Sequence, residues 1–126
     1  MKQQGFSIKK RIRSFGYAIN GLKILVKEEH NARIHLFVTL CVVLAGALLR
    51  ISAIEWVAVV FAIGLVIALE AVNSSIENLA DFVSPEKHHW IKKIKDLAAA
   101  AVLVGAIASV IVGLIVFVPK ILNLFC

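Results

Sequence analysis

Apolar residues run almost unbroken through three stretches of the chain, residues 32–49, 51–70 and 97–118. Crossing a bilayer takes about 20 predominantly apolar residues, so each stretch predicts a membrane-spanning helix. The first is interrupted by Arg33 and His35 near its start, the second carries Glu55 near its far end, and the third holds no charge at all. Only a short turn around Arg50 to Ala53 separates the first two, which predicts a helical hairpin. Upstream, Ile8, Ile12, Phe15, Ile19, Leu22 and Val26 recur at three- and four-residue intervals, with Lys9, Lys10, Arg13, Asn20, Lys23 and Lys27 on other faces. That pattern predicts an amphipathic helix over about 6–28, suited to the headgroup layer. The fold expected is an all-α membrane protein, a surface helix plus three spans, forming a single domain over 1–126.

Composition agrees. The 126 residues are 60% hydrophobic, with a mean hydropathy of +0.90, far above a soluble domain of this size. The net charge of +6 would suggest nucleic acid, but its distribution argues otherwise. Lys2, Lys9, Lys10, Arg11, Arg13, Lys23, Lys27 and Arg33 precede or open the first span, and Lys87, Lys92, Lys93 and Lys95 lie between the second and third. Arg50 and Lys120 alone fall on the other side. The asymmetry orients the amino terminus toward the cytoplasm. A charged segment before the first span is unlike a cleavable signal peptide. Cys41 and Cys126 make no metal or redox motif.

The second span runs into an acidic stripe. Glu70, Asn73, Glu77 and Asp81 keep the three-and-four spacing of one helix face, over roughly 16 Å at about 1.5 Å per residue. A helix that simply begins in water with acidic residues accounts for Asp81 but not for Glu70, because a carboxylate at membrane depth is costly unless paired or used. The helix is expected to stop near Ser84-Pro85. Glu28, Glu29 and Lys95-Asp96 lie at the same predicted membrane surface. Carboxylates with an amide suit a hard cation such as magnesium, lysines suit phosphate oxygens, and one carboxylate at lipid depth could take a proton from a lipid hydroxyl. Those are the parts of phosphoryl transfer, although no Walker-type or glycine-rich kinase loop is present.

Other readings stay open on the residues alone. Intramembrane carboxylates also serve proton-coupled transporters, and a non-catalytic assembly subunit would leave the stripe unexplained. His88 and His89 are adjacent, which is poor geometry for holding one metal. His35 sits one turn deeper than Asn31 on the same face, where a satisfied interfacial histidine is the plainer reading. Ala101, Gly105, Ser109 and Gly113, each four residues apart, form a ridge that permits close helix packing in a membrane.

At these residues the chain resembles the small prokaryotic diacylglycerol kinases and their undecaprenol kinase relatives. The resemblance rests on Glu70, Asn73-Ser74, Glu77 and Asp81, followed by Lys95-Asp96 and the alanine run 98–101, with Gly16-Tyr17, Gly21-Leu22 and Glu29 upstream. It implies a homotrimeric kinase of the bacterial inner membrane with shared active sites, taking ATP and Mg2+ and a membrane lipid alcohol. By position, Glu70 looks like the catalytic base, and Glu29 and Glu77 like the magnesium ligands. Lys10, Tyr17, Asn73, Asp81, Glu86, His88, Lys95 and Asp96 would line the ATP region. Asn31, His35 and Trp56 would join Glu70 on the lipid side. Lys10 stands where the diacylglycerol branch has arginine, keeping the charge without the bidentate fork. Glu29, Asn31 and His35 together resemble the undecaprenol branch, so undecaprenol is the first expectation and diacylglycerol the second.

Overall fold

The structure is a computed structural model that describes residues 5–86 and 88–125. Lys2, Lys87 and Cys126, which entered the charge and cysteine readings, lie outside the described residues.

Four helices follow in chain order: α1 (Ile8–Glu28), α2 (His30–Leu48), α3 (Ala53–Val83) and α4 (His89–Phe125). The last three are long and apolar enough to cross a membrane, and the chain is a membrane protein. Ser7 starts α1 by accepting a hydrogen bond from the Lys10 amide at 3.4 Å. Leu25 is the one buried residue of α1, so Ile8, Ile12, Phe15 and Ile19 stay bare of protein. An apolar face left open in this way is what a lipid surface covers. One extended residue, Glu29, separates α1 from α2. Arg33 closes the end of α1, its Nε donating to Val26 O at 2.7 Å and a guanidinium nitrogen donating to Lys27 O. A cation at a helix C-terminus satisfies orphan carbonyls and opposes the helix dipole.

The hairpin turn between α2 and α3 places Arg50 at φ 52, in the left-handed region, and buries Ile51. Ser52 and Glu55 then form a reciprocal cap: the Glu55 amide donates to Ser52 Oγ at 3.2 Å and the Ser52 amide to Glu55 Oε1 at 2.9 Å. Glu55 also pairs with Lys120 of α4 at 3.3 Å. Gly46 admits Trp56 at this end, since a Cβ there would stand 2.8 Å from the indole ring.

α3 and α4 form the main packed pair. The 31 residues of α3 span about 46 Å, well beyond the hydrocarbon layer of about 30 Å. As expected, α3 carries the apolar span straight through the acidic stripe and ends at Val83, before Ser84-Pro85. α4 begins earlier than the apolar pattern suggested, at His89, and continues through Pro119 to Phe125. The small-residue ridge packs inside the protomer at two positions: a Cβ on Gly105 would stand 2.5 Å from Leu69, and Ser109 Oγ donates to Ala62 O at 3.1 Å.

Candidate functional site

At the end of the bundle opposite the hairpin, α1 finishes, α2 begins, and α3 carries Glu70 onward. Glu70 is 3% exposed, and its Oε1 lies 3.1 Å from His35 Nε2 of α2. The contact is within ion-pair distance but off the line of a hydrogen bond, and that oxygen has no hydrogen-bond partner among the described residues.

One turn further on, Ser74 is buried and its hydroxyl donates to Glu29 Oε1 at 3.0 Å. Asn78 supports this turn by donating to Ser74 O at 2.8 Å. Glu29, the hinge residue between α1 and α2, is thereby held against α3. Asn73 presents a buried Oδ1 without a hydrogen-bond donor among the described residues, and Glu77 follows Ser74 by about one helical turn. Glu29, Asn73 and Glu77 offer oxygen donors only. No group of three or more His, Cys, Asp or Glu gathers as a metal site among the described residues. That donor chemistry fits a hard cation that takes one or two carboxylates from protein and other oxygens from substrate phosphates.

Beyond the start of α2 the stripe turns to α4. Lys95 Nζ donates to Asp81 Oδ1 at 2.5 Å, and Lys92 Nζ to Asp96 Oδ2 at 2.7 Å. Both lysines lie before the apolar span that starts at Leu97. The hydrogen bond that Lys95 donates to Asp81 holds its ammonium above the usual lysine range, with Coulombic support from Asp81 and Glu77. Asp96 does the same for Lys92. Around them opens a cavity of about 530 Å³, lined by Asp81, Ser84, Pro85, Glu86, His88, His89, Ile91, Lys92, Lys95 and Asp96. Five residues expected at a nucleotide site, Asp81, Glu86, His88, Lys95 and Asp96, therefore share one hollow. Its walls carry both signs of charge.

Lys10 and Tyr17 do not line that cavity. They lie about 28 and 18 Å from Glu29 along the axis of α1, counting 1.5 Å per residue, and Tyr17 is exposed. On the lipid side, His35 meets Glu70, while Asn31 is exposed on α2. Trp56 sits about 21 Å from Glu70 along α3, packed on Gly46 at the hairpin. Ser74 was given no role by the acidic pattern, although it departs from the Glu70 direction by about 40° and Asn73 by about 60° at 3.6 residues per turn. That angular difference was the available signal. A second cavity, of about 450 Å³, runs between α2, α3 and α4 from His35 to Phe117, with largely apolar walls.

A family model described as prokaryotic diacylglycerol kinase matches residues 16–117. Among curated relatives, an undecaprenol kinase of Bacillus subtilis is 36% identical over 108 residues, covering 86% of this chain and 88% of its own length. A diacylglycerol kinase of Synechocystis is 38% identical over 112 residues, 88% of this chain and 64% of that protein. A diacylglycerol kinase of Helicobacter pylori is 37% identical over 107 residues, 84% of this chain and 81% of that protein.

Proposed function

This chain belongs to the prokaryotic diacylglycerol kinase family and is a lipid kinase that uses ATP, and from that premise we propose that it phosphorylates undecaprenol at the cytoplasmic face of the bacterial inner membrane. Diacylglycerol is the second reading. The relatives' identities, 36% to the undecaprenol kinase and 38% and 37% to the diacylglycerol kinases, do not separate the two. Histidine at position 35, with Asn31 and Glu29 before it, favours the polyprenol. The proton-coupled transporter has no relative behind it among those matched, and Glu55, the far ionisable group it would need, is engaged by Ser52 and Lys120.

The observation that carries the reading is the burial of Glu70 beside His35, which lines the apolar cavity, on the same helix that runs on to Asp81 in the charged one. The lipid alcohol reaches Glu70 from the bilayer, and ATP fills the hollow between the end of α3 and the start of α4. The lipid oxygen attacks the γ-phosphorus, its O–H proton passes to the Glu70 carboxylate, and ADP leaves with the bond to the bridging oxygen. Glu29 and Glu77 would hold Mg2+, with Asn73 beside them, and the ion when bound would neutralise charge on the phosphate oxygens. Lys95 shifts from Asp81 to the nucleotide phosphates, while Glu86, His88 and Asp96 border the nucleotide. Positioning and electrostatics supply most of the rate.

Lys10 and Tyr17 are far along α1 from Glu29 within one protomer. A homotrimer lets α1 of one copy wall the nucleotide site of a neighbour, and the thin three-span bundle gains lateral cover from the same assembly. With the amino terminus cytoplasmic, the whole chain acts as one lipid-kinase domain. Trp56 then faces the lipid chain near the outer surface. The test is labelled ATP with purified protein in mixed micelles, offering undecaprenol and diacylglycerol in turn. Faster labelling of undecaprenol is expected; faster labelling of diacylglycerol reverses the substrate assignment.

A further inference from the structure

Glu70 presents a specific problem of orientation. Its Oε1 is buried without a hydrogen-bond donor among the described residues, and His35 Nε2 stands 3.1 Å away but out of line. A buried carboxylate oxygen without a donor is costly, and His35 is the group that can relieve it by a small change of side-chain torsion. The His35 side chain is 27% exposed and also lines the apolar cavity of about 450 Å³ that reaches to Phe117. One flank of the imidazole therefore meets the base and another meets the space through which an apolar chain can approach it.

We propose that His35 is a positioning residue for the reaction: it engages one oxygen of Glu70 and leaves the other to face the lipid hydroxyl. This rests on the reading of Glu70 as the base. With its proton on Nε2, the imidazole donates to Oε1 and fixes the orientation of the carboxylate. The free carboxylate oxygen then accepts the hydroxyl proton as the lipid oxygen bonds to phosphorus and ADP leaves. His35 itself touches neither phosphate nor metal.

The experiment compares His35→Ala, His35→Gln and His35→Asn in the micellar kinase assay, each also in a Glu70→Asp background. Binding of a fluorescent ATP analogue reports that each variant is folded. His35→Ala is expected to lower kcat about 10- to 100-fold, the range for residues that orient a functional ligand, with the KM for ATP unchanged. Gln, whose amide reaches as far as Nε2, recovers most of the loss, and the shorter Asn does not. With Glu70→Asp the contact is already broken, so the added cost of His35→Ala shrinks to a few-fold. Full kcat in His35→Ala overturns the proposal, as does an undiminished penalty in the Asp background. If His35→Ala fails to bind the analogue, the Gln and Asn variants decide, and equal activity in the two overturns it. A Glu70→Gln control separates the failures. Turnover by that variant removes the base reading itself, whereas an inactive Glu70→Gln beside a fully active His35→Ala removes only the role of His35.

Discussion

Replacing Ser74 by alanine tests the link that holds Glu29 to α3. The Ser74 hydroxyl is buried and donates to Glu29 Oε1 at 3.0 Å. A hydrogen bond to a charged group contributes about 1.5–3 kcal/mol, and the half-buried position of Glu29 favours the lower end. The serine backbone keeps its bond from Asn78, so the helix stays intact and the loss is confined to the side chain. About 1.4 kcal/mol is a tenfold change in an equilibrium. If Glu29 holds magnesium, an unanchored Glu29 must be ordered by the ion, and the magnesium midpoint rises about tenfold by the same conversion. The assay is kinase activity titrated with magnesium at saturating ATP, with thermal unfolding in micelles beside it. A modest loss of stability with an unmoved magnesium midpoint refutes the assignment of Glu29 to the metal. An unchanged midpoint with unchanged stability refutes the hydrogen bond as well.

Three further outcomes are expected. Glu77→Gln should raise the magnesium requirement while leaving lipid KM alone, checked by the same titration. Lys95→Met should raise the KM for ATP about tenfold, the loss of one charge-assisted phosphate contact, with no effect on the lipid KM in steady-state kinetics. Gly46→Ala should destabilise the hairpin end, because its Cβ would meet the Trp56 ring at 2.8 Å. Overpacking costs about 1–3 kcal/mol against a helix-propensity gain of about 1, so the unfolding midpoint in micelles falls while kcat holds, the site lying at the other end.

The course of α3 was legible because an apolar run merges into a three-and-four polar spacing with no breaker before Ser84-Pro85. The third span was expected over 97–118 from its apolar run, whereas α4 continues through Pro119 to Phe125. At Pro85 the chain must turn back and Ser84 Oγ donates to Glu86 O, whereas at Pro119 the adjacent Lys120 is tied to Glu55 and the helix runs on. The start of α4 at His89 was missed because its first turn, His89-Trp90, reads as polar connection. The acidic stripe, read as one helix face, divides among partners: Glu70 and Ser74 meet α2 and the α1–α2 hinge, while Asp81 lies beyond the start of α2 and meets Lys95 of α4. No spacing within α3 could reveal this, since it depends on where α2 begins. His35 against Glu70 is likewise a contact between helices, set by packing rather than by periodicity. Glu55 looked like an interface charge and proves to be a helix cap as well.

The central claim is that Glu70 takes the proton of a lipid hydroxyl while nucleotide binds elsewhere. It is tested most directly by measuring labelled-phosphate transfer from ATP to undecaprenol by Glu70→Gln beside the unaltered protein, with binding of a fluorescent ATP analogue measured on both. The account predicts at least a 10²-fold loss of transfer, the lower range for a general base, with analogue binding retained. Transfer at the unaltered rate by Glu70→Gln would contradict it.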